Sequence, residues 1–128
     1  FHDELGYNYR MPNLNAALAC AQLEQLDKFV GDKRDLANAY ARFFTTQGIK
    51  FRTELTDTRA NYWLMCLELA NRNERDLFLK NTNEQGVMTR PIWNLMCRLP
   101  MYAHCQRDAQ KNAIFLEERI VNIPSSVK

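Results

Sequence analysis

Two short stretches hold most of the side chains able to do chemistry. The first is GYNYRMPNLN, residues 6–15, which sets Tyr7, Asn8, Tyr9 and Arg10 in succession directly ahead of a helix-forming run. A helix N-terminus offers free N–H groups and the positive end of the helix dipole, so it favours anions. Arg10 adds a full charge with a fork suited to phosphate. Asn8 and the tyrosine hydroxyls are hydrogen-bond donors. Two readings stand side by side: a phosphate-contact loop, or a capped helix start with two packed tyrosines. The second stretch is TRPIWNLMCRLPMY, residues 89–102. Arg90, Trp93, Arg98 and Tyr102 in a proline-bounded loop suit a pocket for a polar, ring-shaped ligand. The alternative is an irregular connection stapled to the core by Trp93 and Met96.

Other chemistry finds little support. The cysteines Cys20, Cys66, Cys97 and Cys105 form no C-x-x-C pair. Cys20 lies in a helical run and Cys66 in a strand-like run, so both read as core thiols. Cys97, His104 and Cys105 lack the two short-spaced ligand pairs of a structural zinc site, and no metal is expected. Nucleotide-binding glycine motifs, G-x-S-x-G and H-E-x-x-H are missing. With only His2 and His104, a triad has little to draw on, and no catalytic residue is assigned.

The elements that must carry these stretches follow from periodicity. Leu14, Ala17, Leu18 and Ala21 recur at helical spacing, and the stripe continues through Leu26, Val30, Ala37, Tyr40 and Phe44. Pro12 suits a first turn, Asn13 can cap, and Gly48 is a natural stop. A run of that length predicts a break between Leu26 and Gly31, giving two helices. Residues 49–52 read as a short strand and 61–69 as a mostly buried one. A helix starts near Asn73 and ends near Gly86. Residues 87–92 read as a strand broken at Pro91, 108–119 as a helix, and 121–123 as a last strand stopped by Pro124. The order predicts α+β: a small antiparallel sheet covered by helices, preceded by a long helix pair.

The chain has 128 residues, enough for one core without staples. Its net charge of +2 gives no clustered basic field for nucleic acid or a membrane surface. Interleaved charges such as Glu117-Glu118-Arg119 read as a solvated helix face. No apolar run is long enough to span a membrane, no signal peptide is visible, and free thiols point to the cytoplasm. The start at Phe1 suggests a fragment.

HDELGYNYRMPNLNAALACAQLEQL, with its pattern GYNYRM-x-x-x-x-AA-x-x-x-AQLEQL, resembles a segment of the DegT/DnrJ/EryC1/StrS family. These are PLP-dependent aminotransferases acting on nucleotide-linked keto-sugars. TRPIWNLMCRLPMY and ERIVNIPSSV resemble the subgroup that aminates UDP-linked 4-keto-6-deoxy-N-acetylhexosamines for bacillosamine- or legionaminate-type surface glycans. The likeness runs from residue 2 to residue 127.

The resemblance implies the C-terminal part of a fold-type I aminotransferase. Residues 1–48 would form an inter-subunit loop and linking helices, and 49–128 the small α+β domain. The cofactor-bearing lysine would lie upstream. None of Lys28, Lys33, Lys50, Lys80, Lys111 and Lys128 sits in a matching motif, so the chain alone is expected to be inactive. Asn8, Tyr9 and Arg10 would contribute to a neighbouring subunit's pyridoxal 5'-phosphate site, making a homodimer the expected assembly. Arg90 and Trp93 would sit nearer the nucleotide-sugar substrate. Glutamate is the implied amino donor. The alternatives are a non-catalytic anion-binding or dimerisation domain, or part of a lysine-less family member acting in sugar dehydration. Severed from a larger domain, the first helix should expose apolar surface around Leu14, Leu18 and Leu23, inviting self-association.

Overall fold

The computed structural model describes residues 4–7 and 9–126. The long apolar stripe becomes two helices, α1 (Asn13–Leu23) and α2 (Leu26–Thr46). The break comes at Glu24 and Gln25, ahead of the expected interval. Gly31 stays inside α2, because Leu36, Ala37, Tyr40, Ala41 and Phe44 pack one face of that helix against the sheet. α2 then ends at Gly48, with φ +70°. The N–H of Gly48 reaches Thr45 O at 3.1 Å and that of Ile49 reaches Phe44 O at 2.9 Å, a Schellman closure that needs a left-handed residue.

Next come β1 (Lys50–Phe51), β2 (Met65–Glu68), α3 (Arg72–Glu84), β3 (Arg90–Pro91), two single 3₁₀ turns (Met96–Arg98 and Pro100–Tyr102), α4 (Lys111–Glu117) and β4 (Ile120–Ile123). The sheet order is β1-β2-β4-β3, antiparallel throughout. This is the α+β arrangement the residue pattern predicts.

Several elements are shorter than expected, each for a local reason. The strand expected over 61–69 begins only at Met65. Tyr62 has φ +48°, and Trp63 N–H donates to Asn61 Oδ1 at 3.0 Å, which turns the chain out of extended geometry. α4 begins at Lys111 because Gln110 has φ +48° and its N–H donates to Asp108 Oδ1 at 3.0 Å. β3 keeps two residues, since Pro91 cannot donate to a ladder and is tolerated only at this edge position. α3 starts earlier than Asn73: Asn71 is its cap, accepting from Glu74 N–H at 3.0 Å.

The core lies where period two predicts it. Met65 and Leu67 of β2 point inward, opposite Ile123 and Val121 of β4. Phe51, Leu69 and Ala37 close the cluster. α1 contributes no buried residue. Cys20 is therefore exposed rather than a core thiol, while Cys66 on β2 is half-buried. No described helix is long and apolar enough to cross a membrane.

Candidate functional site

The lead-in to α1 faces solvent, and the helix start behind it lacks a side-chain cap. Pro12 occupies the N-cap position, so Asn13 sits in the first turn instead of capping, and no side chain caps the helix. The first intrahelical bond is Ala16 N–H to Pro12 O at 3.0 Å. The backbone N–H groups of Asn13, Leu14 and Asn15 precede it. Tyr7 and Tyr9 pair their rings with centroids 5.8 Å apart, tilted 35°. Both rings face solvent, Tyr9 being 89% exposed, so they pack on each other and not on the core. Arg10 is also exposed. Asn8 lies outside the described residues. Helix N–H groups, phenol hydroxyls and a guanidinium fit the phosphate end of a cofactor such as pyridoxal 5'-phosphate.

The second stretch is held from behind at two places, Thr89 and Leu95–Arg98. At the front, Thr89 is buried. Its hydroxyl lies 2.6 Å from that of Thr82, and Asn83 Nδ2 donates to its carbonyl (3.1 Å) and hydroxyl (3.0 Å). This fixes Arg90 at the start of β3, where it is exposed with Nη2 3.3 Å from Met88 Sδ. Trp93 follows, 73% exposed. Neither Trp93 nor Met96 staples the segment to the core; both face outward. The rear anchor is Glu117, whose Oε1 accepts from Leu95 N–H at 3.0 Å and whose Oε2 lies 2.7 Å from Arg98 Nη1. Tyr102 and Met96 line a cleft of about 230 Å³ with Cys97, Cys105 and Gln110; Arg90 and Trp93 are not among its lining residues. Cys97 Sγ donates to Gln110 Oε1 at 3.0 Å. Among the described residues no group of three or more His, Cys, Asp or Glu is placed to hold a metal ion.

Elsewhere the electrostatics are structural. Arg34 of α2 grips Glu54 with a fork, Nη2–Oε1 at 2.7 Å and Nη1–Oε2 at 3.0 Å. The same carboxylate accepts from Ala60 N–H at 2.7 Å. The Arg34 bond, then the Ala60 bond, hold the Glu54 carboxyl down from its usual value to about 2, and the bond to Glu54 raises Arg34. Burial pushes the Cys66 thiol up, with Arg52 opposing and Glu68 adding to the shift.

Sequence reasoning missed Glu117. It was read within a solvated charge run, yet it is buried. The available signal was spacing: Glu117 is four residues after Ala113, one turn along the half-buried face of α4.

A model of the DegT/DnrJ/EryC1/StrS aminotransferase family matches residues 1–128. Two GDP-perosamine synthases are similar: that of Escherichia coli O157:H7 is 33% identical over 127 residues, and that of Vibrio cholerae 35% over 131. Each match takes in 98% of this chain and about a third (34% and 35%) of the relative, so the chain spans about a third of the length of the curated relatives it matches. Among solved structures, Helicobacter pylori PseC, an aminotransferase involved in the biosynthesis of pseudoaminic acid, superposes with a TM-score of 0.84. It is 16% identical, and the match covers 95% of this chain and 34% of that one. Spr1654 from Streptococcus pneumoniae, in its PMP-form, gives 0.77 at 19% identity, over 90% of this chain and 30% of that one. At these identities both show the fold.

Proposed function

The chain belongs to the DegT/DnrJ/EryC1/StrS aminotransferase family, a family of PLP-dependent enzymes, and on that premise we propose that it forms the C-terminal part of a nucleotide-sugar aminotransferase. The observation that carries the reading is the uncapped, solvent-facing start of α1, with Tyr7 and Tyr9 paired ahead of it and Arg10 exposed next in sequence. Residues 1–48 serve as inter-subunit loop and linking helices, and 49–128 as the small domain. Asn8, Tyr9 and Arg10 meet the cofactor phosphate of a neighbouring subunit in a cytoplasmic homodimer. The cofactor, when bound, supplies the electron sink that lets an amine pass from an amino acid, glutamate in this reading, to a keto carbon. What this chain supplies is position. Arg10 and the α1 N–H groups hold an anion, Arg90 offers a fork to the phosphates or hydroxyls of the sugar nucleotide, and Trp93 offers a flat apolar face to a ring. The chain alone, without the upstream lysine, is inactive. The product would feed surface-glycan assembly.

The test uses the full-length protein that carries this chain. Purified with pyridoxal 5'-phosphate, it is given glutamate and either a UDP- or a GDP-linked 4-keto-6-deoxy sugar, and the amino sugar is followed by mass spectrometry. Amination of one of the two, weakened by Arg10→Ala through cofactor loss and by Trp93→Ala through a higher KM, is the expected result. A protein that binds the cofactor but yields only dehydrated sugar overturns the transfer reading.

A further inference from the structure

The segment between β3 and α4 has little core of its own. Over residues 92–102 the side chains are exposed or at most half-buried, and the only regular structure is the two 3₁₀ turns. Such a segment keeps one shape only if something else fixes it. The interior group that reaches it is the Glu117 carboxylate, 4% exposed at the end of α4. Its Oε1 takes the N–H of Leu95 at 3.0 Å, and its Oε2 sits 2.7 Å from Arg98 Nη1. The second contact is an ion pair off the N–H direction, because Oε2 has no aligned hydrogen-bond donor. α4 is itself moored there: Arg75 of α3 donates Nη1 to the Glu117 carbonyl. Arg98 keeps a side chain 42% exposed, so the pair runs from interior to surface.

A buried carboxylate is costly unless its charge is met. An uncharged side chain of the same shape would fill this position without that cost, as Leu116 and Ile120 do for neighbouring positions. What the carboxylate adds is one directed hydrogen bond, to Leu95 at the N-cap of the first 3₁₀ turn, and one ion pair, to Arg98 at its last residue. Together with the Thr82–Thr89–Asn83 cluster behind β3, it holds the chain on both sides of Trp93, at Thr89 and at Leu95–Arg98, and leaves Trp93 outward between the clamps.

The geometry points to Glu117 as a positioning residue that fixes residues 93–98 through Leu95 and Arg98, and so sets where Trp93 presents its ring. Its consequence for substrate rests on the proposed function; the positioning itself does not. Two measurements separate them.

The first is amide hydrogen exchange on the 128-residue chain as it stands. Leu95 N–H should exchange about ten- to a hundredfold more slowly than the amides of Trp93 and Asn94, from one hydrogen bond to a charged group. Glu117→Leu should remove that difference, and Glu117→Gln, which keeps an acceptor, should retain part of it. Leu95 exchanging as fast as its neighbours in the unaltered chain overturns the inference, whatever happens to the variants' folding. The second uses the full-length protein. Glu117→Gln should raise KM for the nucleotide sugar several-fold while leaving the amino-donor half-reaction and kcat near their original values. Equal losses in both half-reactions would mean a general structural role and overturn positioning. Protected Leu95 with a nucleotide-sugar KM that Trp93→Ala does not alter would leave Glu117 as the clamp and sink the substrate reading instead.

Discussion

α1 and α2 are separated by two residues, α1 apolar around much of its surface and α2 along one face, and their apolar residues end differently. α2 lays Leu36, Ala37, Tyr40, Ala41 and Phe44 on the sheet, and Ala37 vanishes from solvent. α1 leaves Leu14, Leu18 and Leu23 exposed and buries nothing. Spacing names a helix's apolar face; it does not name the partner. α2's partner is in this chain, and its stripe is explained. α1's stripe is a surface available to something else, as the chain's coverage of a third of its relatives' length would lead one to expect.

That contrast can be broken by mutation, beginning where the effect should be largest. Leu67 is fully buried on β2, and Leu67→Ala should cost about 2–5 kcal/mol in a denaturant melt of the chain. A loss under about 1 kcal/mol would mean the sheet is not the cooperative unit. Next come the two helix starts. Asn71→Ala removes the cap of α3 and should cost about 1 kcal/mol, whereas Asn13→Ala, which caps nothing, should be close to neutral; equal costs would contradict the cap assignment. The α2 side should also show an acid limb. The Glu54 carboxyl is held down to about 2 from its ordinary 4.5, so its contribution is fully present above 4.5 and is lost as pH falls from 4.5 through about 2. Glu54→Gln should flatten that part of the pH–stability curve, measured against the Asn71→Ala variant as control. The smallest effect belongs to α1. Leu18→Glu should shift the melt by no more than about 0.5 kcal/mol while reducing self-association in analytical ultracentrifugation. A strongly destabilised Leu18→Glu monomer would show that α1 packs on this chain after all.

How far these elements could be read from the residues depends on whether the cause was local. Gly48 and Gly86 closed their helices where expected, because a left-handed position after a helix is written into one residue. β2 and β4 were visible through Met65, Leu67, Val121 and Ile123, alternating inward. The starts of β2 and α4 were not, since Tyr62 and Gln110 adopt positive φ without being glycine. Cys20 was misplaced because its helix buries no residue among those described. The lead-in before α1 was legible as a solvent-facing segment, with Tyr9 and Arg10 both exposed ahead of the helix. The clamp behind Trp93 was hidden, because Glu117, like Glu54, draws its partners from far along the chain: Arg98 and Leu95 in one case, Arg34 in the other.

The sheet order has a consequence for how the protein is made. β4 is the fourth strand to leave the ribosome but occupies an inner place, between β2 and β3. β1 and β2 can zip together as soon as they emerge. β3, emerging later, finds no vacant neighbour and must wait, with Trp93 and the rest of its trailing segment still untethered, until Ile120–Ile123 arrives. α4 and its carboxylate come out just before that strand. Docking of the last strand and latching of the segment after β3 are therefore one event in time, and the surface that carries Arg90 and Trp93 is assembled only once β4 has emerged.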